Sequence, residues 1–357
     1  LDLLKRLQKE GFEVHVTAPR DNYSQQLQDA GFHYEAVAVN NNSKNPIKDI
    51  ILITNYYRLY KKIKPDIILQ NAIKPNIYGT LAAGLLGIPT INNISGLGTL
   101  FIKKSFSTKI AKFLYKISQA FATKVFFQNP HDRALFIENG LVSPDKIELI
   151  PGSGVDIVRF TPDKLEKKEK RPFRFLFVGR LLTDKGIVEY VEASKRLKKE
   201  FDNVEFCVLG PFYEENTTSI SKTVFSAWIK EKSIIYLGET DKVEEEFAKS
   251  DCVVLPSYRE GLSKVLIEAS SMGLPIITTN VPGCKDVVID GETGFLCNPR
   301  DITDLSLKLE KMLLLNEEDR IQLGKNGRAR AVSVFDQNIV IQKYLDSIKV
   351  IIEKQTQ

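Results

Sequence analysis

The sequence predicts an α/β protein with two doubly wound domains, each a parallel sheet with helices on both faces. Strand-like apolar runs alternate with helical patterns along both halves, an order that produces right-handed crossovers and parallel strands. A length of 357 residues suits two domains. A stretch rich in Pro, Gly and Lys separates the halves and is typical of a linker.

These patterns divide the chain into four parts. Residues 1–155 form the first domain, 156–172 the linker and 173–333 the second domain. Residues 334–357 form a helix that we expect to pack back toward the first domain. Two such domains facing each other would leave a cleft at the carboxyl ends of their strands, where we expect ligand chemistry.

In the first half, strands are predicted within FEVHVTAP, IKPDIILQNA, GIPTINNI and ATKVFFQN. Helical patterns between them include NPIKDIILITNYYRLYKKI and IYGTLAAGLLG. The chain starts with LDLLKRLQKEGFEVHV, a helix that runs into a strand. Because a domain of this type begins with a strand, we expect the first strand of the first domain to be missing from this sequence.

The second half repeats the alternation. Strands are predicted within RFLFVGR, VEFCVLG, IIYLGE, CVVLP, PIITT and GFLCN. Helices are predicted at GIVEYVEASKRLKKEF, KVEEEFAKS and SKVLIEASSMG, and FDQNIVIQKYLDSIKVIIEKQ forms one long amphipathic helix.

Composition and cysteine spacing narrow the class of protein. A hydrophobic content of 43% and a charged content of 27% are those of an ordinary globular protein. No run of apolar residues is long enough to span a bilayer. The cysteines show no C-x-x-C spacing, so we expect buried free thiols. They are Cys207, Cys252, Cys284 and Cys297.

Positive charge is unevenly distributed. The net charge is +5, and the span from Ile67 to His131 contains no Asp or Glu. Its lysines are Lys74, Lys103, Lys104, Lys109, Lys112, Lys116 and Lys124. Such a face suits a membrane surface, a polyphosphate group or a nucleic acid, and an ordinary solvated helix face is the alternative.

The segment PSYREGLSKVLIEASSMGLPIITT places Glu260 in a loop and Glu268 on a predicted helix. The start of that helix, around Gly261, Leu262 and Ser263, predicts an anion site because helix N-termini carry unpaired amides and partial positive charge. Glu268 lies roughly 7.5 Å further along the axis, an offset that suits the ribose of a nucleotide whose phosphates sit at the helix start. A pair of solvated surface acids is the alternative.

The segment FVGRLLTDKG leaves a predicted strand and carries Arg180 and Lys185. Two cations at the carboxyl end of a strand can neutralise a diphosphate and stabilise its charge as it departs. Surface Arg and Lys are common, so this signal gains its weight from the acidic pair that follows it in the same domain.

Together, GRLLTDKG, PSYREGLSKVLIEASSMGLPIITT and GETGFLCNP resemble the family 4 retaining glycosyltransferases, whose GT-B fold has two Rossmann-like domains. PRDNYSQQL and SGLGTLFI are similar to bacterial enzymes that extend sugars on undecaprenyl diphosphate, N-acetylgalactosaminyltransferases among them. The resemblance covers essentially the whole chain. It implies transfer of a hexose or N-acetylhexosamine from a UDP-sugar to a lipid-linked saccharide.

The same resemblance assigns roles to residues. The catalytic residues would be Glu260, at the donor sugar, with Arg180 and Lys185 at the diphosphate. Donor binding would involve Glu268 on the ribose hydroxyls, Gly179, Gly261, Leu262 and Ser263. No cofactor and no divalent metal would be needed, because the cationic side chains supply the positive charge. Consistent with this, the sequence shows no D-x-D motif and no metal-ligand cluster.

The first domain would hold the acceptor. The candidates follow predicted strands: Asn76, Gly96, Gly98 and His131. Ordinary turns, and a surface histidine, are the alternatives. Asn129 and Pro130 look like the cap and first position of a helix.

The region from Lys103 to Lys124 is interleaved with phenylalanines: Phe101, Phe106, Phe113 and Phe121. It could lie against anionic lipid, which predicts a cytoplasmic enzyme peripheral to the inner face of the membrane.

Four other functions remain as alternatives. They are a GT-B sugar-nucleotide epimerase, a non-catalytic nucleotide-sugar binder, a nucleic-acid-binding protein and a nicotinamide dehydrogenase. GLGTLF and GSGVDI both lack the third glycine that the last would need.

Overall fold

The computed structural model describes residues 1–21, 23–39, 45–97, 106–165, 171–213 and 216–356. Contacts divide the chain into two compact units. One comprises Leu1–Ile150 with Val340–Gln357, and the other comprises Pro151–Ile339. Each unit has its own hydrophobic core.

The first unit alternates helices and strands. They are α1 (Asp2–Lys9), β1 (His15–Ala18), α2 (Ser24–Asp29), β2 (His33–Ala36), α3 (Pro46–Ile63), β3 (Ile68–Asn71), α4 (Thr80–Leu86), β4 (Thr90–Ile94), α5 (Phe106–Phe121), β5 (Lys124–Phe127), α6 (Pro130–Glu138) and β6 (Ile147–Leu149). Strands β3 to β6 form a parallel sheet in chain order, and β1 pairs with β2 in a separate parallel sheet. A π-helical turn, Pro75–Gly79, leads into α4.

The sheet of the first unit is buried on both faces, because successive side chains of a strand point to opposite sides. In β5, Val125 and Phe127 belong to one core and Phe126 belongs to the other. The second core is closed by the last helix, α13 (Gln337–Thr356), whose Tyr344 ring lies 4.8 Å from that of Phe126, centroid to centroid.

The second unit carries the longer sheet. Its elements are β7 (Phe173–Val178), α7 (Ile187–Leu197), β8 (Val204–Leu209), α8 (Lys222–Lys230), β9 (Ile235–Tyr236), α9 (Val243–Ala248), β10 (Cys252–Leu255), α10 (Lys264–Ser271), β11 (Ile276–Thr279), β12 (Gly294–Cys297), α11 (Ile302–Leu314) and α12 (Glu317–Val334). The strand order is β12-β11-β10-β7-β8-β9, with parallel pairing throughout. This is the doubly wound order of a Rossmann-like domain, with its switch point between β7 and β10.

Residues 156–165, within the stretch interpreted as a linker, pack on the second unit. Phe160 is buried in the core of that unit. The guanidinium of Arg328 donates to the carbonyl of Phe160 at 2.8 Å and to that of Ile157 at 3.0 Å. Arg328 therefore supplies hydrogen bonds to two backbone carbonyls that have no partner within a strand or helix.

Every strand predicted from the sequence is present, and β2 and β6 are additional. The cap of α6 is also confirmed, since Asn129 accepts from the amide of Asp132 at 2.8 Å and Pro130 holds the first position. The four cysteines are free and buried, as expected. None of the helices in the described part of the chain is long and apolar enough to cross a membrane.

Candidate active site

The switch point of the second sheet creates a crevice at the carboxyl ends of β7 and β10, because the connections leave these neighbouring strands in opposite directions. The segment after β7 carries Gly179, Arg180 and Lys185, and the segment after β10 carries Glu260. The two segments that the sequence marked as functional therefore meet at one edge of one sheet.

An ion pair joins these segments. The Lys185 ammonium donates to Oε1 of Glu260 at 2.5 Å, and the Ser257 hydroxyl donates to the same oxygen at 2.7 Å. The side chains of Lys185 and Glu260 are only 21% and 13% exposed. Partial removal from water strengthens the attraction between these charges. The pair thus holds a cation beside the start of α10.

Glycines allow the loops to approach each other this closely. Gly186 has φ +74° and Gly283 has φ +79°. A Cβ at Gly186 would collide with the carbonyl of Pro256, and a Cβ at Gly283 would collide with that of Glu260. The amide of Glu260 donates to the carbonyl of Pro282 at 3.1 Å. The backbone that carries Glu260 is therefore held from both sides.

The N-terminus of α10 keeps its positive character. Ser263 occupies the N-cap position without a capping hydrogen bond from its side chain, and the first turn holds no acidic residue. The partial charge at this helix end is consequently not neutralised by the helix itself. Gly261 and Leu262 precede it, so an anion bound here would lie next to the segment that carries Glu260.

Glu268 lies on α10 and is buried, with 8% of its surface exposed. Burial raises the pKa of its carboxyl, and the positive charges of Lys264 and Arg159 oppose that shift. The Lys264 ammonium lies 3.5 Å from Oε1 of Glu268. Arg159 is itself paired with Glu244 at 2.7 Å. The carboxylate is thus a poorly hydrated acceptor beside α10.

Arg180 is exposed, and its guanidinium carbon lies 5.1 Å from the centroid of the Tyr213 ring. Tyr213 follows β8, the strand beside β7. Stacking on an aromatic face limits the conformations of an arginine side chain while its N–H groups stay exposed. Arg180 is therefore a cation at the same edge of the sheet.

Two family descriptions match this chain: residues 159–330 match "Glycosyl transferases group 1", and residues 1–129 match "Glycosyl transferase 4-like". The chain is 30% identical to an N,N'-diacetylbacillosaminyl-diphospho-undecaprenol alpha-1,3-N-acetylgalactosaminyltransferase of Campylobacter jejuni, over 97% of this chain and 93% of that protein. The chain belongs to the glycosyltransferases.

Another relative of this glycosyltransferase is the Escherichia coli UDP-Gal:alpha-D-GlcNAc-diphosphoundecaprenol alpha-1,3-galactosyltransferase. It is 31% identical over 85% of this chain and 79% of its own length. Anabaena HepE, solved with UDP and glucose, has a TM-score of 0.80 at 18% identity and covers 98% of this chain and 94% of its own. The fold is GT-B, as expected. Membership of this family excludes the dehydrogenase alternative and favours sugar transfer over nucleic-acid binding as the main function.

In the first unit of the glycosyltransferase, the acceptor candidates differ in exposure. Asn76 is buried, and its amide donates to the carbonyl of Asn93 at 2.7 Å. This burial favours a positioning role for Asn76 over direct contact with an acceptor. Gly96 follows β4 with φ +138°, and His131 is exposed near the start of α6. Gly98 lies outside the described residues.

Buried side-chain amides connect strands β4 and β5 with the helices around them. Gln128, after β5, donates to the side-chain oxygen of Asn93 in β4 at 3.3 Å. Asn92 donates to Gln119 and to Thr80, both at 2.8 Å. The π-helical turn contributes the carbonyl of Asn76, which accepts from Gln119 at 2.9 Å. The network uses neutral groups, in contrast to the charged pair in the second unit.

The residues that support Glu260 escaped prediction from the sequence. Ser257 lies three residues before Glu260 in PSYREG. Side chains at this spacing in a turn can hydrogen-bond to each other, so the spacing was a signal that could have identified Ser257. The Tyr258 hydroxyl donates to Oε1 of Glu189 at 2.5 Å, and its amide donates to the carbonyl of Asp184 at 2.9 Å. These bonds couple α7 to the loop and have no local sequence signal.

The basic span is less uniform than the sequence implied. Lys74 pairs with Asp49 at 2.7 Å and Lys124 pairs with Glu148 at 2.6 Å, both acids from outside the span. Phe101, Lys103 and Lys104 lie outside the described residues, as does the side chain of Phe106. What remains is one face of α5 that mixes exposed apolar and basic side chains: Lys109, Ile110, Phe113, Lys116, Ile117 and Phe121.

Proposed function

We propose that this glycosyltransferase moves a hexose or N-acetylhexosamine from a UDP-sugar to a saccharide on undecaprenyl diphosphate, with retention of the anomeric configuration. The names of the Campylobacter and Escherichia coli relatives support the lipid-linked acceptor, and the UDP bound to Anabaena HepE supports the donor. The observation that carries the proposal is the Lys185–Glu260 ion pair beside the uncapped start of α10.

The donor diphosphate binds where positive charge converges. The start of α10, which follows Gly261, Leu262 and Ser263, meets one phosphate through its partial positive charge, while the amide of Ser263 itself donates to the carbonyl of Gly283 at 3.0 Å. Lys185 contacts the diphosphate from the segment after β7, and Arg180 contacts it from the same segment. These groups supply the countercharge that a leaving diphosphate needs, so the transfer requires no divalent metal and no cofactor. Gly179 leaves room beside them for the nucleotide.

The ribose binds at Glu268. A carboxylate accepts two hydrogen bonds and so fits a vicinal diol. Water competes weakly for a buried carboxylate, which makes each hydrogen bond from the ribose count for more. Glu268 lies further along the helix axis than the helix start, so the ribose would lie on the far side of the phosphates in that direction.

Glu260 sits at the donor sugar. The bond between the anomeric carbon and the diphosphate oxygen breaks, and its electron pair stays on UDP. The acceptor hydroxyl oxygen bonds to the same face of the anomeric carbon, and its proton passes to the departing diphosphate oxygen. Glu260 stabilises the positive charge that develops on the sugar, while Lys185, whose ammonium lies 2.5 Å from its carboxylate, holds it in position.

The acceptor reaches the first unit from a membrane. The exposed apolar residues of α5 follow helical spacing, at Ile110, Phe113 and Ile117, and Lys109 and Lys116 flank them. Apolar side chains that enter the lipid boundary, with lysines at anionic headgroups, would hold the enzyme peripherally on the inner face of the cytoplasmic membrane.

Transfer is tested by supplying UDP-sugars with a short polyprenyl-diphosphate saccharide and analysing the product. We expect transfer from at least one UDP-hexose or UDP-N-acetylhexosamine, with an α-linked product by NMR. A β-linked product would contradict retention. Release of free sugar without transfer would instead support a nucleotide-sugar binder with hydrolytic side activity.

Membrane binding is tested with vesicles of phosphatidylglycerol or phosphatidylcholine. We expect the wild type to sediment with the anionic vesicles. Phe113→Ser combined with Ile117→Ser should weaken that binding at least about tenfold, because each buried apolar side chain contributes about 1.5–3 kcal/mol. Ile137→Ser, on α6, is the control for an exposed isoleucine elsewhere. If the double variant bound the anionic vesicles as well as Ile137→Ser did, this face of α5 would not be the membrane-binding surface.

A further inference from the structure

Two of the three histidines of the chain lie on neighbouring strands of the small sheet. His15 begins β1 and His33 begins β2, and they are direct register partners. Glu13 precedes His15 by two residues, the spacing that returns a side chain to the same face of an extended chain. Three side chains with metal-binding atoms therefore project from one face at the amino ends of these strands.

These atoms are close together. Oε1 of Glu13 lies 3.0 Å from Nε2 of His15 and 3.5 Å from Nε2 of His33. The imidazole rings stack with centroids 4.7 Å apart. One ligand atom from each residue falls within 4.8 Å of the others. His15 is 29% exposed, and His33 and Glu13 are 62% and 72% exposed, so an ion can reach all three from solvent.

We propose that Glu13, His15 and His33 form a binding site for a divalent transition-metal ion of the Zn²⁺ class. A tetrahedral zinc ion with bonds of about 2.1 Å separates its ligand atoms by roughly 3.4 Å. The two distances from Glu13 bracket that value. Two imidazoles and one carboxylate are a ligand set that zinc accepts, with water completing the tetrahedron.

The surroundings favour a cation. Glu35 lies two residues beyond His33 on the same strand, hence on the same face, and its carboxylate pairs with Lys62 at 2.6 Å. The site therefore carries two carboxylates against one ammonium when both imidazoles are neutral, which is the form that binds metal.

The position of the site indicates its role. Donor and acceptor chemistry are expected at the carboxyl ends of strands, whereas these residues lie at the amino ends of β1 and β2. An ion bound to both strands would hold β1 and β2 together at their amino ends. The metal would act on the stability of the first unit, and this proposal does not depend on the proposed sugar transfer.

The test is titration of the full chain, purified without a histidine tag, with zinc chloride in a calorimeter. We expect saturation at one ion per chain. His15→Asn and His33→Asn should each weaken binding by at least about tenfold, because each removes a direct ligand. His131→Asn removes the third histidine, on α6, and should bind as the wild type does.

A second measurement does not depend on the variants. A ligand that binds only the folded state raises the melting temperature, by an amount that grows with the logarithm of its concentration relative to the dissociation constant. Zinc should therefore raise the melting temperature of the wild type and of His131→Asn, but not that of a His15→Asn, His33→Asn double variant. Absence of saturable binding by the wild type would overturn the proposal, as would unchanged binding by the double variant. Circular dichroism establishes that each variant is folded.

Discussion

In the second unit, the segments after β7 and β10 present charged side chains: Arg180, Lys185 and Glu260. In the first unit, the ends of β4 and β5 carry the amides of Asn93 and Gln128, which bond to each other. Both edges are the carboxyl edges of parallel sheets, where ligands bind. One edge therefore carries the charges that the proposed anion site needs, while the other is shaped by neutral hydrogen bonds.

A substitution at the charged edge should have the largest effect. Lys185→Ala removes the ammonium beside the start of α10, and we expect kcat to fall about 10²–10³-fold, as when an electrostatic stabiliser of a transition state is lost. Steady-state kinetics with saturating donor measure it. Lys230→Ala, an exposed lysine on α8, is the control. A wild-type kcat in Lys185→Ala would break the proposed contrast between the two edges.

Glu268→Gln should separate binding from stability. We expect KM for the donor to rise about tenfold or more, because a hydrogen bond to a charged group contributes about 1.5–3 kcal/mol. Without donor, the same variant should melt at a higher temperature than the wild type near neutral pH, because it no longer buries a charge.

The pH dependence has a definite sign. The folded state raises the pKa of Glu268 above its ordinary value of 4.5, so it binds the proton more tightly than the unfolded state does. Ionisation of Glu268 therefore destabilises the folded state. This destabilisation is absent below about pH 4.5, and it increases as the pH rises above that value. The melting-temperature advantage of Glu268→Gln should follow that course. Glu200→Gln, an exposed acid after α7, should show none, and an advantage that shrinks with pH would contradict this account.

The amide edge is tested through stability. Asn92→Leu removes the donor to the buried Oε1 of Gln119 and one of the hydrogen bonds of Thr80, at a cost of about 1–3 kcal/mol. Urea denaturation followed by circular dichroism should show it. The fluorescence of Trp228 reports on the second unit and should shift little. Gln25→Leu, exposed on α2, is the control. If Asn92→Leu left the unfolding of the first unit unchanged, the network would contribute no stability.

The smallest effect concerns the thiols, all of which lie in the second unit. Burial raises the pKa of Cys207 to about 11 and those of Cys284 and Cys297 to about 12. The folded protein should therefore not react with a thiol reagent at neutral pH, whereas denatured protein should label at all four. Asn92→Leu should leave this protection intact. Rapid labelling of that variant would mean that the first unit supports the second.

Local patterns predicted much of the fold. Each predicted strand coincides with an apolar run of β-branched and aromatic residues, such as CVVL in β10. The segments after β7 and β10 were predicted to be functional because Gly, Lys and Glu stand at the ends of those strands. By contrast, β2 (HYEA) escaped prediction because its side chains are half-exposed and its pattern is weak.

Pairing between distant residues could not be predicted in this way. Lys74 and Lys124 appeared to be part of an open basic face, yet each is paired with an acid that the sequence places elsewhere. Asn76 appeared to border a ligand, and the fold buries it instead. The group formed by Glu13, His15 and His33 has no metal-site spacing along the chain, because strand register brings it together.

The sequence by itself determined the alternation of strands and helices and the family, and it singled out the segments after β7 and β10 as candidates for the site. These properties depend on residue type and local spacing, which act over a few residues. The tertiary structure alone decided which charges meet. Lys185 and Glu260 are 75 residues apart and touch only because β7 and β10 are neighbours in the sheet. Electrostatic energy depends on distance in space and on burial, and strand order sets both.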